Sequence, residues 1–362
     1  MDAVVFIPGF FGFGAFGHPD RPFVEYFAQV EKALLRANVA SPPPHFVVHE
    51  PPPAGSLEER VGSLHATVAK TVAAGVERVH LVGHSSGGLD ARLFANRRYG
   101  GAPPREELLA RLGAVITLSA PFHGTPLARK LLLGADFAMP ALWFASILAS
   151  RRRLRLAGQL GTLFNLGKRL VLQKPTPTDQ LIAALADVDD ETAAQIRRFL
   201  RDVSRDHPLV SDITPESMAA LNRELAGGDA RPVHSFVTVS PRPGFGARDA
   251  IAFATAPAQR LLYDAAYALS SSHPRGGGRV PRGPWIGEHA LPLVEDSSDG
   301  IVPAWSQTLD GRADGIVTGD HLDVIGHYEA AGATFLRSGS QFDDARFRAL
   351  WARVAARLSP QI

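Results

Sequence analysis

The 362-residue chain carries 38 basic and 36 acidic residues, and its formal net charge of +2 gives no reason to expect nucleic acid or an acidic polymer as a partner. It contains no cysteine, which excludes disulfides, thiolate metal sites and a cysteine nucleophile. The length exceeds what one small core needs and falls short of three domains.

Ala3–Ile7 is an apolar, β-branched run that ends at Pro8-Gly9, and it is expected as a strand. Met1–Ile7 has no basic region and no small-residue cleavage site, so no secretory leader is expected. The expected setting is cytoplasmic or unassigned, with a leader-trimmed secreted form as the alternative. Phe23–Ala37 carries a helical pattern, and Phe46–His49 reads as a strand. Ser56-Leu57-Glu58-Glu59 is a capping box. Leu57, Val61, Leu64, Val68 and Val72 then recur at helical spacing as far as Gly75. Val79–Val82 is expected as a strand, Gly88–Arg98 as the start of a helix, and Ala114–Leu118 as a further strand.

The rhythm then breaks. From Leu127 to Gly228 the patterns are helical and no strand stands out. Leu131–Ser150 is apolar, but Asp136 and Pro140 sit in its middle and "RRRLR" follows it. A charge at bilayer depth is costly, so a buried or interface-seeking helix pair is expected in place of a membrane span. Ser235–Val239 reads as a strand, and Pro241–His289 as an irregular excursion. Short strands at Ala290–Val294 and Ile316–Thr318 precede a final helix over Gln341–Leu358. Strands alternating with helices predict an α/β fold: a mostly parallel central sheet flanked by helices. The sheet core comprises residues 1–126 and 229–362, interrupted by a helical lid or cap over 127–228.

The stretch "LVGHSSGGLD" lies between a strand and a helix. Gly83-His84-Ser85-Ser86-Gly87 fits G-x-S-x-G, and only Ser85 has glycine two residues away on both sides. A serine on such a turn presents its oxygen above the carboxyl edge of the sheet, at a helix N-terminus that favours developing negative charge. Ser85 is therefore the candidate nucleophile. The Ser86 backbone N–H is a candidate oxyanion donor.

"AVVFIPGFFGFG", "VHLVGHSSGGLDAR", "VITLSAPFHGTPLA", "DSSDGIVPAWSQ" and "GDHLDVIGH" occur in the order, and at roughly the spacing, of segments in bacterial true lipases of the Pseudomonas and Burkholderia type, which the chain resembles. Those are α/β-hydrolases. The resemblance implies that Asp299 in "SDGIVP" is the triad acid and that His321 in "DHLD", 22 residues later, is the general base. Asp296, Asp310 and Asp314 are nearby rivals for the acid, while Asp320 adjoins His321 and is poorly placed to orient it. In this scheme His321 takes the proton of Ser85 and Asp299 holds the imidazole tautomer. "IPGFFGFG" resembles the lipases' oxyanion loop, which makes Phe10 N–H the second donor and sets Phe11 against the substrate. Pro8 stands where that family has histidine. His84 is expected to pack beneath the serine turn, and His123 to be structural.

The resemblance also implies a serine carboxylic-ester hydrolase that needs no redox or organic cofactor. A structural calcium is implied near the histidine loop, with Asp323 as one ligand, Asp249 or Asp264 as a second aspartate and His327 at a carbonyl-ligand position. Phe137, Leu142, Trp143, Phe144, Ile147 and Leu148 suit an acyl-binding wall or a lipid-facing lid, so the expected partners are an ester or lipid substrate and a lipid–water interface. An acyltransferase or thioesterase on the same triad, and a non-catalytic binding protein on a hydrolase scaffold, are the alternatives.

Overall fold

Alternate residues of the first strand, β1 (Asp2–Ile7), face opposite sides of a sheet, and both sets are buried. Val4 and Phe6 pack with Phe347, Leu350, Trp351 and Val354 of a C-terminal helix, while Ala3, Val5 and Ile7 pack with Val61, Leu64 and Val68 of an earlier one. A strand covered on both faces must be apolar throughout, which is why "AVVFI" shows no polar alternation. These contacts are seen in a computed structural model, which describes residues 1–132 and 191–358 apart from 11, 13, 19, 38–42, 101–105, 193, 196–197, 200–207, 256, 272–278 and 329–335.

The strands after β1 are β2 (Ala15–His18), β3 (Arg21–Glu25), β4 (His45–Val48), β5 (Arg78–His84), β6 (Leu112–Leu118), β7 (Val233–Val239), β8 (Trp285–Ile286) and β9 (Gly315–Thr318). Seven of them form one sheet in the order β4-β1-β5-β6-β7-β9-β8, with every neighbouring pair parallel. Helices α1 (Val30–Arg36), α2 (Leu57–Ala73), α3 (Ser86–Ala95), α4 (Glu106–Ala110) and α5 (Pro126–Leu132) belong to the first half. Further along come α6 (Pro208–Asp212), α7 (Pro215–Leu225), α8 (Ala247–Thr255), α9 (Pro257–Ser270) and α10 (Asp344–Leu358). This is the expected fold class, a parallel sheet between helical layers. The α2 capping box forms in full, with the Ser56 hydroxyl accepting the Glu59 N–H and the Glu59 carboxylate accepting the Ser56 N–H.

Three local expectations need correction. Phe23–Ala37 is not one helix: Arg21–Glu25 pairs antiparallel with Ala15–His18, and α1 begins only at Val30. Phe23 and Val24 favour a strand and Pro22 has no N–H for a helix ladder, so the hairpin wins there. Pro241–His289 is not uniformly irregular, because α8 and α9 lie within it. Leu262, Tyr263, Ala266 and Tyr267 recur on one buried face, a helical pattern overshadowed in the sequence by Pro- and Gly-rich flanks. Ala290–Val294 forms no strand; the edge strand is Trp285–Ile286. Pro292 has no N–H to give to a ladder.

At the near end of the insertion, α5 continues the core chain. At the far end, Leu209, Val210, Met218 and Leu225 of α6 and α7 pack into the same core as α2 and α3. The interior of the insertion, including Phe137, Leu142, Trp143, Phe144, Ile147 and Leu148, lies outside the described residues. No helix among the described residues is long and apolar enough to cross a membrane.

Candidate active site

Ser85 follows directly on β5 and caps the N-terminus of α3 with φ 56° and ψ −131°. A non-glycine residue held at positive φ costs on the order of 1–3 kcal/mol and persists only where its surroundings impose it. Here they do. The Ser85 N–H donates to the Leu118 carbonyl at the end of β6, 2.9 Å away. A Cβ on Gly83 would collide with the Gly87 carbonyl, and a Cβ on Gly87 with the carbonyls of Ile7 and Pro8. The two glycines are thus demanded by backbone packed against backbone. Ser86 heads α3, where backbone N–H groups lack helical acceptors. Its hydroxyl is buried and has no hydrogen-bond partner among the described residues.

The loop after β1 passes directly over the serine. A Cβ on Gly9 would lie 2.5 Å from the Ser85 Cβ. Gly9 N–H donates to the Tyr26 hydroxyl at 2.8 Å, so it is not available to a substrate oxygen. Phe10, whose N–H is the donor implied by the resemblance, is the next residue on this loop. Arg60 braces the loop from below: its Nη2 donates to the Pro8 carbonyl at 2.8 Å and to Asp90 Oδ2 at 2.6 Å. Arg60 and Asp90 are both fully buried. Burial raises the Asp90 carboxyl from its ordinary range, and the Arg60 charge opposes that shift.

Asp299 is fully buried in the turn that follows Ser298, and its carboxylate accepts from four donors. Oδ1 takes the N–H groups of Ile301 and Val302 at 2.9 and 2.7 Å. Oδ2 takes the Gln307 amide at 3.2 Å and faces His321 Nδ1 at 2.7 Å. The backbone joins the same two residues, with His321 N–H donating to the Asp299 carbonyl at 3.0 Å. The His321 ring lies against the ring of His84, with centroids 4.6 Å apart, and His84 is the residue before Ser85. Asp299 and His321 are thus bonded to each other, and His321 packs on the residue that precedes Ser85 at the carboxyl edge of the sheet. The rival acids point elsewhere. Asp296 pairs with Arg242, Asp310 with Arg312, and Asp314 with His234 and Arg357. Asp320 is buried and accepts from Leu322 N–H, Asp323 N–H and Ser338 Oγ.

The residues at the implied calcium positions each have partners within the protein. Among the described residues no group of three or more His, Asp or Glu is placed to hold a metal. Asp323 is buried and its Oδ2 accepts from Asp320 N–H and Ser340 Oγ. Asp249 and Asp264 both pair with Arg260, at 2.6 and 2.7 Å. His327 Nε2 donates to the Tyr26 carbonyl. Phe11 lies outside the described residues.

Tyr26, Arg60 and Gln307 were not singled out from the sequence. Arg60 carries a signal in retrospect, since it falls on the apolar stripe of α2 between Leu57 and Leu64. Gln307 ends the acid-loop segment "DSSDGIVPAWSQ". Tyr26 carries none, because the contact that gives it meaning spans 58 residues.

No protein-family model matches the sequence, and neither does any curated protein. Among the solved structures similar to this chain, two align over 99% of its length. Lipase 1 from Pelosinus fermentans aligns over 99% of both chains with 14% identity and a TM-score of 0.50. EstA from Clostridium botulinum aligns over 99% of this chain and 87% of its own, with 16% identity and a TM-score of 0.50. At these identities the likeness is one of fold, and the fold is of the α/β-hydrolase kind.

Proposed function

We propose that this chain is a serine hydrolase that cleaves carboxylic esters. The observation that carries the reading is the hydrogen bond between buried Asp299 and His321 beside a serine held at positive φ. Asp299, as carboxylate, accepts the Nδ1 proton, which leaves the lone pair on Nε2 to take a proton. His321 removes the Ser85 proton as Oγ attacks the ester carbonyl. The oxyanion is held by the N–H groups of Ser86 and Phe10. Collapse breaks the bond to the alkoxy oxygen, His321 returns the proton to the departing alcohol, and an acyl-Ser85 ester remains. Water, deprotonated by His321, then repeats the steps and frees the acid.

The lipase and esterase folds that the chain is similar to support this class of chemistry. The narrower likeness to Pseudomonas and Burkholderia lipases rests on the sequence segments. So does a site that works at a lipid–water interface. A chain-length series of p-nitrophenyl esters, run beside emulsified triglyceride, tests the reading. Turnover by the wild type and none by Ser85→Ala supports it; product partition between water and added alcohol separates hydrolase from transferase.

A further inference from the structure

His84, the last residue of β5, has a fully buried ring whose two nitrogens make different bonds. Nε2 lies 2.8 Å from the His321 carbonyl oxygen, and a carbonyl can only accept, so Nε2 carries a proton. Nδ1 lies 2.8 Å from the Tyr26 hydroxyl. Burial, reinforced by the neighbouring charge of His321 and His327, holds the His84 ring well below the ordinary imidazole pKa. The ring is therefore neutral, and Nδ1 accepts the Tyr26 O–H. Tyr26, its proton spent, accepts Gly9 N–H through the same oxygen. The chain of donors runs in one direction, from Gly9 N–H through Tyr26 O–H and His84 Nε2–H to the His321 carbonyl.

The two ends of this chain are the loops that matter most in the proposed reaction. Gly9 precedes the Phe10 donor and abuts Ser85. His321 is the proposed base. We propose that Tyr26 and His84 are positioning residues that hold the oxyanion loop and the base loop in one register about Ser85. This assignment rests on the serine-hydrolase reading. Tyr26 is itself anchored on both sides, its N–H donating to the Gly14 carbonyl and its carbonyl accepting from His327 Nε2. When His321 takes up the serine proton, its charge further opposes protonation of His84, so the chain keeps its direction through the cycle.

The test compares Tyr26→Phe with the wild type, using p-nitrophenyl esters. The substitution deletes one oxygen and leaves the ring packed against Phe27. A misplaced donor harms the transition state more than ground-state binding. kcat is expected to fall about tenfold to a hundredfold with KM changed by less than about twofold. A merely structural role would lower Tm and leave kcat per folded molecule unchanged. His84→Gln supplies a donor and an acceptor, as the neutral ring does, and is expected to keep more kcat than His84→Leu. Imidazole ¹⁵N spectra of the wild type should show His84 neutral and protonated at Nε2. Unchanged kcat in Tyr26→Phe, equal losses in the two His84 variants, or a proton on His84 Nδ1 would each overturn the assignment while the hydrolase reading stands. A wild type that neither turns over esters nor reacts with a serine-directed phosphonate would overturn the hydrolase reading and this assignment with it.

Discussion

The Nδ1 atom of His321 lies 2.7 Å from Asp299 Oδ2, and both side chains are buried. Three further donors, two backbone N–H groups and the Gln307 amide, hold the carboxylate in place. A carboxylate so satisfied need not move when the imidazole beside it gains charge, which is the preorganisation an acyl-transfer site requires.

Asp299→Asn preserves the shape of this contact and reverses its polarity. The amide N–H₂ would face Nδ1 and favour the tautomer that cannot accept the serine proton. Ester turnover is expected to fall by several orders of magnitude, roughly ten-thousandfold. Asp296→Asn and Asp314→Asn, whose carboxylates pair with arginines away from His321, are expected to stay close to wild type. Steady-state kinetics of the three variants checks the ordering.

The elbow glycines and Gly62 make an internal contrast. Among the described residues nothing lies within 4 Å of a Cβ placed on Gly62, which is inside α2, so Gly62→Ala should stabilise the protein by about 0.5–1 kcal/mol. Gly87→Ala forces a methyl into two backbone carbonyls that cannot step aside. It should lower Tm and cut activity together. Thermal melts of both variants decide whether the glycine spacing is steric necessity.

Breaking the Arg60–Asp90 pair strands a buried charge. Arg60→Met is expected to destabilise by about 3–5 kcal/mol, and the Arg60→Met/Asp90→Leu double variant by less, because the orphaned carboxylate is gone. Both variants lose the bond to the Pro8 carbonyl, so both should also lose turnover. Denaturant melts and ester kinetics on the pair separate the two effects.

Two buried carboxyls behind the base loop set a pH dependence. Burial pushes Asp320 up to about 7, against the bonds it accepts, and burial together with Asp320 raises Asp323 well above the ordinary range. Their folded-state values exceed their unfolded ones, so the folded protein binds more protons between the two. The stability they contribute is complete below the ordinary carboxylate pKa and is lost as pH rises through about 7. Tm should fall between about pH 5 and pH 8, and Asp320→Asn should flatten that slope. Parallel Tm profiles for the two proteins would contradict it.

Much of the core sheet and the serine turn was legible because both are written in local pattern. "AVVFI" and "VHLV" are continuous apolar runs, and the spacing of Gly83, Ser85 and Gly87 records a steric constraint. Asp299 and His321 were legible only through resemblance, since nothing local distinguishes Asp299 from Asp296. The braces were not legible. Tyr26 sits in a stretch whose composition resembles a helix start, and its partners Gly9 and His84 are distant in the chain. Arg60 reads as an ordinary charged helix residue until its partner Asp90 is seen. The paired helices after β7 were obscured by the Pro- and Gly-rich stretches around them.

The most direct measurement is covalent labelling of the intact protein with a serine-directed alkyl phosphonate, followed by peptide mapping. Such a reagent needs an activated nucleophile and an oxyanion site together, and it forms a tetrahedral adduct resembling the transition state. The account predicts one adduct, on Ser85, that is absent in Ser85→Ala and strongly slowed in His321→Ala, while Ser86→Ala loses far less. A label on Ser86, or no label on a folded protein, would contradict it.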